Sequence, residues 1–91
     1  MKLTATTPAG VFDRKTETRY THVNVWSSPR AQRIAASPDR QSGVYARWVK
    51  DRGYAVTWHS SARAAEAASR KGYVWDSEAA LIGTFPVDSK E

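Results

Sequence analysis

VNVWSSPRAQRIAAS (residues 23–37) and VTWHSSARAAEAASR (residues 56–70) state one structural sentence twice, 33 positions apart. Six of the fifteen aligned positions are identical: Val23/Val56, Ser27/Ser60, Ser28/Ser61, Arg30/Arg63, Ala31/Ala64 and Ala35/Ala68. Each copy begins with alternating β-branched and aromatic residues, the composition of a strand. Each then places Ser-Ser where a helix needs an N-cap oxygen, and continues in Ala-rich sequence. In the first copy Pro29 stands at the first helical position, where its missing N–H costs nothing. Self-similarity of this kind marks a repeated supersecondary unit. Two copies are too few for a solenoid, and two β-α-β units side by side give β-α-β-β-α-β.

Working outward from the repeat, Thr7-Pro8-Ala9-Gly10 reads as a turn between short β-like runs at 3–6 and 11–15, an N-terminal hairpin. Residues 19–26 form the first strong strand. Pro38 disfavours helical geometry in the residue before it and ends or interrupts the first helix. The segment 38–52 has two readings. Its aromatic and β-branched content favours a strand at 44–50, turning through Lys50-Asp51-Arg52-Gly53 into a strand at 54–59. The other reading is a helix capped by Ser37, with Gly53 just past its end. Residues 61–71 are the clearest helix, capped by Ser60 or Ser61, followed by Gly72 and supported by a Glu66/Arg70 pair four positions apart. Residues 78–87 read as the last strand.

These elements predict an α+β domain: an antiparallel sheet of about four strands backed by two short helices, ferredoxin-like, with an extra N-terminal β-hairpin. The boundaries are 1–18 for the hairpin, 19–87 for the domain and 88–91 for a polar tail.

Composition narrows the function classes. With 91 residues the chain supports one small domain. Cysteine is absent, which excludes disulfides and thiolate metal sites. The N-terminus lacks the apolar core of a signal peptide, and no run approaches membrane-span length. The expectation is a soluble cytoplasmic protein without membrane contact. A net charge of +5, with nine Arg to five Lys, favours an acidic partner.

The repeat also fixes an expected register. Val23 and Val56 correspond, so both face the core, and Tyr54 and Trp58 follow Val56 inward. Val44, Ala46 and Trp48 face the core from the hairpin strand. Tyr20, His22, Asn24, Trp26, Tyr45, Arg47, Val49, Ala55, Thr57 and His59 then point outward. The uncovered face presents Tyr20, His22, Trp26, Tyr45, Arg47 and His59 as the candidate binding residues. Aromatic rings beside Arg on an open sheet form a base-stacking platform. Arg30, Arg33, Arg63, Arg70 and Lys71 on the helices add attraction for phosphate or an acidic partner.

Catalytic signals are thin. His22 and His59 share the expected face, but only His59-Ser60-Ser61 matches the His-x-Ser/Thr element of two-histidine phosphoesterases. Two His without placed carboxylates are too few for a metal, and the glycines are too scattered for a phosphate loop. No enzyme activity and no cofactor are expected.

The strand–Ser-Ser–helix repeat resembles peptidoglycan-binding SPOR domains, which share the β-α-β-β-α-β fold; the likeness covers residues 19–87. The order RYTHVNV, then VTWHSSARAAEAA, then ALIGTFPV is similar to small proteins of actinobacterial phages. That resemblance implies a host-takeover or anti-defence protein that blocks a host macromolecule's surface. The sequence thus predicts a small non-enzymatic binding module. Its partner is a host protein engaged through the aromatic/Arg face or, alternatively, single-stranded nucleic acid on the same face. Homodimerisation through that face is a further expectation.

Overall fold

The computed structural model describes residues 1–37 and 43–90, with backbone only for Val44, Ser89 and Lys90. Strands β1 (Lys2–Thr7) and β2 (Gly10–Lys15) form the N-terminal hairpin. Strand β3 (His22–Ser27) leads into helix α1 (Pro29–Ala35), followed by α2 (Val44–Lys50) and β4 (Tyr54–His59). Helix α3 (Ala62–Lys71), β5 (Ala80–Pro86) and β6 (Asp88–Lys90) complete the chain.

The fold is α+β, as the alternation of elements predicts, with two three-stranded antiparallel sheets in place of the expected four-stranded one. Their orders are β2-β1-β6 and β4-β3-β5. The expected polar tail at 88–91 supplies one of these strands, because residues 88–90 pair with β1. Between β5 and β6, the Val87 amide donates to the Thr21 carbonyl (2.9 Å) and hands the chain from one sheet to the other. A bulge at Ile82 shifts the β3–β5 register between Val25 and Trp26.

The largest correction concerns 44–50, which is a helix and not a strand. Its end explains why. The Arg52 amide donates to the Val49 carbonyl and the Gly53 amide to the Trp48 carbonyl, a Schellman closure. The left-handed residue in that closure is Arg52 (φ 61), not a glycine. Its guanidinium lies over the Phe12 ring (4.8 Å) and donates to the Val11 carbonyl, contacts that offset the strain. Gly53 (φ 85) is needed next, since a Cβ there would stand 3.1 Å from the Gln32 backbone. The reading of Ser37 and Pro38 as this helix's start falls partly on residues 38–42, outside the described residues; the described N-cap is Gly43.

Both faces of the β4-β3-β5 sheet are covered. Val23 and Val25 face Ala5 and Phe12 of the hairpin sheet, with Tyr54, Val56, Trp58 and Phe85 packed around them. The opposite face meets the helices. Asn24 donates to the Ala65 carbonyl of α3 (2.8 Å) and accepts from the Thr84 hydroxyl (2.6 Å). The alternation along β3 is as expected, but the layers are reversed. The hairpin covers the valine face, and the helices cover the face expected to be open.

Candidate functional site

That reversal redistributes the predicted site residues. Trp26 is 3% exposed and packs against Tyr73, ring centroids 6.1 Å apart, so it is a core ring and not a stacking platform. Tyr20 precedes β3 and lies on the other side of the sheet, against Trp58 (6.3 Å) with the Arg14 guanidinium 5.1 Å over its ring. Tyr45 and Arg47 stand on α2 and not on a strand; Tyr45 packs edge-on against Trp48 (5.8 Å), itself expected inward and found buried. His22 and His59 are the only pair the expected register brings together, as direct partners across β3 and β4. Each is hydrogen-bonded to a threonine, His22 to Thr21 and His59 to Thr57 (2.8 Å each). Burial and the neighbouring His22 hold His59 below the usual imidazole pKa. Among the described residues no group of three or more His, Cys, Asp or Glu is placed to hold a metal, and no helix is long and apolar enough to cross a membrane.

The helix cations differ in their surroundings. Arg30 lies over the Trp48 ring (5.8 Å) and donates to the Trp75 carbonyl (3.0 Å). Arg70 is paired with Glu66, the predicted helix-face pair. Arg33 and Arg63 are exposed on α1 and α3, and Lys71 is exposed at the end of α3.

A further concentration of positive charge lies in a groove of about 330 Å³ between β2 and α2. Arg14 and Lys15 line it from the strand, Arg47 and Lys50 from the helix, and Gly43 and Ala46 form the rest of the lining. No carboxylate lines it among the described residues. Of the nearby acids, Asp13 accepts from Thr4 (2.9 Å) and lies 4.0 Å from Lys2. Asp51 is buried at the end of α2. Desolvation raises its pKa to about 6 against the pull of Arg47, Lys50 and Arg52. Lys50 reaches across to the Asp13 carbonyl (3.4 Å), tying the helix to the strand. Arg47 and Lys15 make no ion pair among the described residues.

Of this groove the sequence reading named only Arg47. The signal was available in the helical reading of 44–50, which sets Arg47 and Lys50 three apart on one helix face. The hairpin strand's Arg14-Lys15 is the other half, and only tertiary packing brings the two together. A scan against protein-family models gives no match for this chain, and neither do comparisons with curated proteins and with solved structures.

Proposed function

We propose that the protein is a non-enzymatic binding module for a polyanion, and that single-stranded nucleic acid is the class its basic groove takes. One observation carries this reading: four cations from two elements converge on a groove that no carboxylate lines among the described residues. Phosphates entering it release counterions and meet Arg forks suited to phosphate oxygens. The half-buried Tyr20 ring, held beside Arg14, offers an aromatic surface next to one of the lining cations. The alternative, capture of a host protein through an aromatic sheet face, loses its central ring with Trp26 in the core.

The test is fluorescence anisotropy with a mixed-sequence single-stranded oligonucleotide across a salt series. Four neutralised phosphates give a log–log slope of about −3. Arg47→Glu combined with Lys15→Glu removes binding while leaving the thermal midpoint in place. Absence of binding at low salt overturns the reading, as does a double variant that binds like the parent.

A further inference from the structure

His22 and His59 are the chain's only histidines, and strand pairing sets them directly opposite each other at one end of the β4-β3-β5 sheet. Direct cross-strand partners leave the same face of a sheet with Cβ atoms about 5 Å apart. At that spacing both imidazoles can reach one metal ion. Solvent reaches the pair as well: both rings are half-buried, and the neighbouring Thr21 and Ser60 are exposed.

Each ring has one nitrogen committed and one left over. Thr21 Oγ1 holds His22 Nδ1, and Thr57 Oγ1 holds His59 Nε2, at 2.8 Å each. His22 Nε2 and His59 Nδ1 have no hydrogen-bond partner among the described residues. A metal-bound imidazole needs this division. The ligating nitrogen carries the lone pair, and the other gives its N–H to an acceptor that fixes the tautomer and the ring's orientation. A threonine hydroxyl is placed to accept that N–H from each ring. Burial and the facing His22 also favour the uncharged form of His59, the form that ligates.

We infer that His22 Nε2 and His59 Nδ1 chelate one divalent late first-row transition ion, Cu²⁺ most tightly and Ni²⁺ or Zn²⁺ less so. Imidazole nitrogen selects these ions over Mg²⁺ and Ca²⁺, which take oxygen ligands. Two imidazoles do not close a structural zinc site, which takes four protein ligands. They leave the remaining positions to water, so the ion is exchangeable. The second imidazole binds intramolecularly, which raises affinity about 100-fold over a lone histidine. The ligands sit on different strands, so the chelate exists only while β3 and β4 are paired. Bound ion therefore stabilises the folded chain.

The experiment is a proton NMR titration of the full chain with zinc chloride, following the imidazole Hε1 signals. His22→Asn and His59→Gln assign the two signals, and each replacement keeps a polar group for its threonine. The expected result is that both signals move together and saturate at one zinc per chain, with a rise in the thermal midpoint. Either variant weakens binding about 100-fold and abolishes that rise, and Cu²⁺ displaces Zn²⁺ from the parent. Signals that stay in place at millimolar zinc overturn the inference. So does movement of one signal alone, or a variant that binds zinc like the parent. A doubling of mass in sedimentation on adding zinc also overturns it, since the ion then bridges two chains. The pair shares no residue with the basic groove, so zinc binding and oligonucleotide binding fail independently.

Discussion

The two strand–Ser-Ser–helix units differ in the fold far more than in sequence. The first places β3 at the centre of its sheet, paired on both sides, while the second places β4 at an edge. Both Ser28 and Ser61 accept from the amide three residues on, Ala31 and Ala64. Yet Ser28 is fully buried and also donates to Asp76, whereas Ser61 is exposed. The helices do not seat alike either. Ala31 is the fully buried residue of α1, but in α3 it is Ala65, not the aligned Ala64. Similar local grammar therefore fixes where a helix starts, and tertiary neighbours decide which residue beyond the cap meets the sheet.

The sharpest way to break the comparison is to truncate aligned residues. Trp26 and His59 occupy equivalent places, one buried and the other half-buried at an edge. Trp26→Ala should destabilise by about 3–5 kcal/mol, and His59→Ala by less than about 1 kcal/mol, read by urea denaturation. Asn24→Ala should cost about 2–3 kcal/mol, because it removes the buried bonds to the Ala65 carbonyl and from the Thr84 hydroxyl. A Trp26→Ala protein as stable as the parent would place that ring outside the core.

The next effect runs in the opposite direction and concerns the connections on either side of the second unit. The turn that leads from α2 into the second unit carries Asp51, raised to about 6 by desolvation, and the loop that leaves the second unit carries Asp76, lowered chiefly by the Ser28 hydroxyl. A raised carboxyl binds its proton more tightly folded than unfolded. Asp51 therefore lowers stability progressively as pH rises from its ordinary 3.8 to about 6. Asp51→Asn should stabilise on the order of 2 kcal/mol at neutral pH, and the gain should vanish below the ordinary carboxylate range. Asp76 has the opposite sign: its contribution is present above the ordinary value and is lost as pH falls through its depressed one. Thermal melts of Asp51→Asn and Asp76→Asn across pH separate the two. A flat difference between Asp51→Asn and the parent would mean Asp51 is not desolvated.

The smallest effect tests the caps. Ser28→Ala should cost about 2 kcal/mol, since it removes a cap and leaves the buried end of Asp76's contact unmade. Ser61→Ala should cost about 0.5–1 kcal/mol. Equal losses would mean that the Asp76 contact adds nothing.

Much of this fold was legible. The hairpin turn, both serine caps, Pro29 at the first helical position, the Glu66/Arg70 pair and the alternation along β3 all depend on neighbours within a few residues, and all are present. The segment 44–50 admits both strand and helix readings, and its Val, Tyr and Trp tilt the balance toward strand because they carry β-propensity. Trp48's burial, with its indole N–H donating to the Tyr73 hydroxyl (2.9 Å), overrides that preference. The site was the least legible part. Alternation tells which residues share a face, but not which layer lands on it, and the hairpin took the face assigned to the helices. The groove joins residues more than 30 positions apart, Arg14 to Arg47, that no local pattern connects.

The passage of one strand between both sheets bears on how the molecule assembles. Residue 2 pairs with residue 90, and His22 with Pro86. The β1–β2 hairpin closes from local contacts, but its third strand must reach β1 from far along the chain, pairing Thr4 with Asp88. Contacts this distant in sequence slow the folding search. Until β5 and β6 arrive, β1 and β3 each keep an unpaired edge, the kind of surface on which nascent chains pair wrongly. Because only Val87 separates β5 from β6, one continuous segment covers an edge of β3 and an edge of β1.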